Sequence, residues 1–432
     1  MKVSNVRTRP PVVGDVTTII IGAGQAGLAA SRCLDERGID HLILERGDIA
    51  NSWRKERWQS LKLLTPNWQT ALPGHGYQGD DPEGFMGVGE LVSFLDDYAN
   101  RISAPVVTST TVEAVSPMEN GYRVSTNRGV WHCRTVIMAS GAFNIPVLPR
   151  FASALPSGID SLTPHDYRSP AELREGGVLV VGASATGLQL AREIQHSGRP
   201  VTLCTGEHVR MPRRYRGRDI LHWMHSMGLL DEGYREVEDI NRARRLPSAQ
   251  LVGSNTHSDL DLNSLTDEGV KLVGRLAGMH NDKLQFSGAL ANVCKMGDLK
   301  MNRLLASIDD WISERDLDQA VTPAQEFIAT DSGSKQTLSM SLSTGEISTV
   351  VWACGFRPDY SWLKVPVLDR KNRLVHDGGI TAAPGLYAMG LPFMRRRKSS
   401  FIFGAGDDAR DICDHLSAHV AQSCTARSVA VA

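Results

Sequence analysis

Between Thr17 and Asp48 the hydrophobic pattern changes period twice. Thr17 to Ile21 is an unbroken apolar, β-branched run, as expected of a strand buried on both faces. It enters Gly22-Ala-Gly24-Gln-Ala-Gly27, after which the spacing predicts a helix as far as Arg37. Gly38 is placed to end that helix in a left-handed cap, and His41 to Leu44 forms a second strand closed by Glu45. The three glycines have separate tasks: a tight turn, room for a pyrophosphate against bare backbone, and close packing of helix on strand. The helix start offers unpaired N–H groups and a positive dipole end to that pyrophosphate. Glu45, about twenty residues on, is where a carboxylate accepts hydrogen bonds from a ribose.

The same pattern returns at an offset of 160 residues, so that Gly22, Gly27 and Gly38 fall on Gly182, Gly187 and Gly198. Two differences change the chemistry. Ser184 takes the place of Gly24, which tightens one backbone approach but adds a hydroxyl able to bond a phosphate. Thr205 takes the place of Glu45, followed by Arg210, Arg213 and Arg214. Losing the acid and gaining cations suits a ribose bearing a 2′-phosphate. The first unit therefore reads as an FAD site built on Gly22, Gly24, Gln25, Ala26, Gly27, Glu45 and Arg46. The second reads as an NADPH site built on Gly182, Ser184, Ala185, Thr186, Gly187, Thr205 and the three arginines.

With 432 residues there is room for two or three domains. A formal net charge of −1 gives no reason to expect nucleic acid or an anionic membrane surface as partner. No apolar run approaches the ~18 residues of a spanning helix, and the stretch before the first strand has no hydrophobic core of a secretory signal. The cysteines, Cys33, Cys133, Cys204, Cys294, Cys354, Cys413 and Cys424, are scattered and include no CxxC pair. They fit a reducing cytoplasm and exclude a flavoenzyme that works through a close redox dithiol. No metal site is expected: His222 and His225 share a helix face without a third ligand, and His257 to Leu265 lacks EF-hand spacing.

Ile49 to Gln69, with three tryptophans and several basic residues, has no clear period. It reads either as an aromatic patch on the core or as the lining of a flat ring and a substrate entrance. The order GAGQAG, ERGD, WRKERW, LLTPNW, LPG and DDPEGFM resembles the class B flavin monooxygenases, notably the bacterial flavin-containing type. That resemblance covers most of the chain. It implies an α/β fold of two Rossmann-like dinucleotide-binding domains, with the NADPH domain inserted into the FAD domain. The expected bounds are a tail at 1–15, FAD-domain parts at 16–170 and 357–432, and an NADPH domain at 171–356. Within the last, a helical insert at about 210–330 is the candidate substrate lid.

The resemblance also implies an activity. NADPH reduces FAD, O2 adds to give a C4a-(hydro)peroxyflavin, and one oxygen atom passes to nitrogen, sulfur or carbon of a small-molecule substrate. Trp53, Trp58 and Thr65 are expected along the flavin, with Asn67 as the catalytic amide near C4a and Thr65 or Gln69 as its substitutes. Val112 is expected at the adenine. Ala139 ends the strand that closes the FAD domain, Cys354 and Gly355 the strand that closes the NADPH domain, and Asp407 opens a helix facing the flavin chain. His165 keeps one position of a degraded FxGxxxHxxxF/Y fingerprint, which argues against ketone-to-ester chemistry and favours a link between domains. A homodimer is left open. The rivals are an NADPH-dependent flavin reductase or oxidase, and a flavin-binding protein without turnover, for which Ser184 is the one sequence support.

Overall fold

The computed structural model describes residues 12–430. Its first sheet is centred on Val12–Ile21, which lies parallel to His41–Leu44 on one side and Gly129–Met138 on the other. Residues 12–15 of the expected tail are therefore strand, because the longer neighbour extends the ladder to Val12↔Val130. At Ile19–Ile21 the side chains alternate between two cores. Ile20 packs with Leu28 and Leu34 of the helix Gln25–Asp35, while Ile19 and Ile21 pack with Val115 and Val124 of an antiparallel meander. Each such buried isoleucine contributes ~1.5–3 kcal/mol, which fixes the strand and so aims the turn at its end. The helix stops as the sequence predicts: Gly38 adopts φ +63 and its N–H bonds the Asp35 carbonyl at 2.9 Å.

A second, fully parallel sheet runs Asp160–Leu162, Ile347–Trp352, Gly177–Val181, Val201–Thr205, Lys271–Gly274. Two expected bounds shift. Asp160–Leu162 already belongs to this sheet, ahead of residue 171, and Leu262–Asp267 with Lys271–Gly274 belongs to the nucleotide fold rather than to an insert. The extra material is thus in two pieces flanking that helix–strand unit. The single helix Leu290–Ser313 presents Leu305, Ile308 and Ile312 to Ile220, Leu221 and Trp223 of the short helix Ile220–Ser226. The chain then returns to the first sheet, where Leu386–Ala388 pairs in parallel with Gly129–Met138. The final helix, Ala405–Ala430, packs Ala409, Ile412 and Leu416 into the same core as the first helix.

The first piece of the insert also crosses back to the first domain. Lys398 meets Asp231 at 2.5 Å, Arg397 pairs with Glu232, and Tyr234 N–H donates to the Arg395 carbonyl at 2.9 Å. Arg244 donates to the carbonyls of Phe393 and Met394 at 3.1 and 3.3 Å. These contacts strap the insert over the space between the two sheets. The basic run 395–398 is therefore largely ion-paired within the protein.

Candidate active site

The two glycine turns are built alike to the atom. Gly22 adopts φ +108, and a Cβ there would lie 2.5 Å from the Ala139 carbonyl oxygen. Gly182 adopts φ +115 and faces the Ala353 carbonyl in the same way. Only glycine fits either position. Gly27 and Gly187 have no room for a Cβ against the carbonyls of Gly22 and Gly182, so they serve helix–strand packing. Gly24 differs in kind. Its backbone is extended (φ −85, ψ −173), and a Cβ would meet no heavy atom within 4 Å. Ser184 has the same backbone (φ −89, ψ −179) and its hydroxyl does not cap the helix. The protein itself therefore does not require a glycine at position 24; space for a ligand is the remaining reason.

Both turns open onto one continuous cavity of about 2230 Å³. From the first domain it is lined by Gly22, Gly24, Gln25, Ala26, Glu45 and Arg46, and further along by Trp53, Trp58, Thr65, Val112 and Ala139. The second domain contributes Gly182, Ser184, Ala185, Thr186, Cys354 and Gly355. Glu45 is buried and oriented, accepting from Ala23 N–H at 2.8 Å and Gly47 N–H at 3.0 Å. Gln25 accepts from the Trp53 indole at 3.3 Å, tying the tryptophan segment to the first turn.

Several expected residues are elsewhere. Asn67 is buried off the cavity, and both ends of its amide are engaged: it donates to the Asp81 carbonyl at 2.9 Å and accepts from Met86 N–H at 2.8 Å. It pins a loop. Thr205 is fully buried and lies behind the rim, which passes instead to Gly206 and Glu207. Arg210 is buried between Asp261 and Asp298, each at 2.7 Å, and Arg213 is buried against Asp219 at 2.6 Å. Arg214 donates to the Gly217 carbonyl at 2.7 Å. None of the three lines the cavity. Asp407 is held by Lys398 and Arg410, both at 2.6 Å, and also stands off it. His165 stacks on Phe356 with ring centres 4.7 Å apart, just past two neighbouring strands of the second sheet; burial lowers its pKa.

Other residues enter that sequence reasoning did not single out. Met211, Leu221, Met224 and Leu251 of the insert, with Phe393 and Phe401, form an apolar arm of the cavity. Beside Thr65, the Trp68 indole N–H, the whole Gln69 amide and the Thr70 hydroxyl are buried without a partner among the described residues. Unpartnered buried polar groups are rare, and these three residues, like Asn67, stand off the cavity. Cys354 opens on the cleft, yet burial pushes its thiol up to about 11, so it is no thiolate nucleophile. Among the described residues no cluster of His, Cys, Asp and Glu could hold a metal, and no helix is long and apolar enough to cross a membrane.

Two matching glycine turns face one cavity, one on a mixed sheet and one on a parallel sheet inserted into it, which is the architecture of a two-dinucleotide flavoprotein oxidoreductase. The pyridine nucleotide-disulphide oxidoreductase family model matches residues 19–219. A CzcO-like oxidoreductase of Geobacillus kaustophilus is 30% identical over 408 residues, covering 94% of this chain and 99% of the relative. Indole-3-pyruvate monooxygenase YUCCA6 of Arabidopsis thaliana is 31% identical over 210 residues, covering 46% of this chain and 50% of the relative. The flavin-containing monooxygenase of Stenotrophomonas maltophilia shares the fold, with a TM-score of 0.65 at 18% identity over 94% of this chain and all of that one. The chain belongs to the CzcO-like oxidoreductases.

Proposed function

We propose that this protein is an NADPH-dependent flavin monooxygenase that inserts one oxygen atom from O2 into a small molecule at nitrogen, sulfur or carbon. The observation that carries this reading is the single cavity shared by both glycine turns and by an apolar arm. Bound FAD would supply hydride acceptance and oxygen activation, which no side chain offers. The open space over Gly24 and the oriented Glu45 carboxylate fit that group: Gly24 would admit the pyrophosphate and Glu45 the ribose. Gly182 to Thr186 would hold NADPH. The remaining tasks of the chain are to orient the two nucleotides and to exclude water. Trp53 and Trp58 wall the cavity on one side and the strapped insert covers it on the other. The names of two relatives, an indole-3-pyruvate monooxygenase and a flavin-containing monooxygenase, support oxygen transfer over simple reduction.

The deciding experiment counts H2O2 formed against NADPH consumed, with amines, sulfides and ketones offered in turn. A substrate-dependent fall in peroxide is expected. A ratio near one with every compound would make the protein an oxidase. Ser184 holds the same backbone as Gly24, so the second turn itself is undistorted, and a flavin that stays oxidised under anaerobic NADPH would favour the reading without turnover.

A further inference from the structure

The arginines that follow the second turn in sequence are engaged by acids or carbonyls, so the charge reading of the second nucleotide has to come from another element. Val201–Thr205 ends at Gly206, on the cavity rim. Its parallel neighbour, Lys271–Gly274, is in register with it as far as Thr205↔Gly274, which brings the next residue, Arg275, beside Gly206. The Arg275 stem runs over that glycine: a Cβ on Gly206 would lie 3.4–3.7 Å from its Cβ, Cγ and Cδ. Arg275 lines the cavity, is exposed to it, and its guanidinium has no ion pair or hydrogen bond among the described residues. The acid on the same rim, Glu207, is occupied by Lys300 at 3.1 Å from the helix Leu290–Ser313. An uncommitted guanidinium on the cavity rim is what a phosphomonoester seeks.

We infer that Arg275, supported by the Lys300–Glu207 pair, reads the 2′-phosphate of NADP(H) and sets the preference over NAD(H). This rests on the second turn being a pyridine-nucleotide site. It moves discrimination from the loop after the second strand to the residue after the third, contributed by the adjacent strand.

The test is calorimetric titration of FAD-loaded protein with 2′,5′-ADP and 5′-AMP, which differ only in the 2′-phosphate and need no turnover. Arg275→Ala should weaken 2′,5′-ADP roughly 10- to 100-fold, the range of a lost charge-assisted pair, and leave 5′-AMP unchanged. Arg210→Ala should leave the ratio of the two ligands unchanged in whatever fraction folds. An unaltered ratio in Arg275→Ala overturns the inference, as does a wild-type protein that binds 5′-AMP at least as tightly as 2′,5′-ADP. In both cases the oxygenase reading survives if either pyridine nucleotide bleaches the flavin. If wild type binds neither fragment and neither nucleotide bleaches the flavin, that reading fails too. Melting curves and flavin content of each variant show that loss of fold is not the cause.

Discussion

Gly24 and Gly22 stand two residues apart in one turn, and alanine at each should fail in opposite ways. At Gly22 the new methyl would sit 2.5 Å from the Ala139 carbonyl oxygen and 3.3 Å from Ser140 Cα, at φ +108. Left-handed backbone costs an L-residue ~1–2 kcal/mol, and relieving the overlap adds ~1–3 kcal/mol. Gly22→Ala should therefore lose ~2–5 kcal/mol of stability with or without FAD. At Gly24 the methyl meets nothing within 4 Å on an extended backbone. A weaker N-cap costs ~0.5–1 kcal/mol, offset by ~0.4–1 kcal/mol from the restricted unfolded chain, so apo stability should barely move. Ser184 is the built-in control, since the second copy carries a side chain at the same angles. The methyl does, however, fill the space against which a pyrophosphate would lie. FAD affinity should fall about 10- to 100-fold, equivalent to ~1.4–2.8 kcal/mol. Urea unfolding of apo-protein gives the first quantity and flavin fluorescence titration the second. The reasoning is refuted if Gly24→Ala unfolds as early as Gly22→Ala, or if it binds FAD as wild type does.

Three further outcomes follow from the same structure. Gln69→Leu removes a buried amide with no protein partner that stands off the cavity, so apo-protein should be as stable or up to ~1–3 kcal/mol more stable in urea unfolding; a destabilised apo-protein would show that the amide serves the fold. Arg213→Ala breaks a pair that is 1% and 3% exposed at 2.6 Å, which should cost ~3–5 kcal/mol in urea unfolding and leave the NADPH KM of folded enzyme unchanged; a raised KM at full stability would return Arg213 to the nucleotide. His376, on the cavity wall, is lowered from 6.5 to about 4 by burial and then by nearby Arg244. Its folded pKa is depressed, so its neutral form contributes in full above pH 6.5 and the contribution is lost as pH falls from 6.5 toward 4. His376→Gln should lose less thermal stability across that window than wild type, and parallel pH profiles would contradict this.

The parts of the site legible in the sequence were those fixed by local backbone rules. A left-handed turn, a helix start and an apolar strand announce themselves within a few residues, and the repeat at an offset of 160 doubles the signal. Charge partners do not. Arg210 and Arg213 follow a nucleotide-binding strand and read as phosphate ligands, but their partners Asp261, Asp298 and Asp219 converge only after folding. Asn67 was misread for a similar reason, since its amide bonds backbone groups at Asp81 and Met86 that its own turn does not supply. Arg275 sits after an unremarkable strand, and only the register with Val201–Thr205 reveals its neighbour. The apolar arm was half visible. Leu221 and Met224 have helical spacing, but helical spacing alone does not separate a lid from a core.

Everything above depends on one cavity serving two nucleotides, and anaerobic mixing of FAD-loaded protein with NADPH in a stopped-flow spectrometer tests that most directly. The visible flavin band should bleach in proportion to NADPH added, with no thiol required, and return when O2 is admitted. A flavin that dithionite bleaches but that stays oxidised with NADPH and NADH alike would contradict the account.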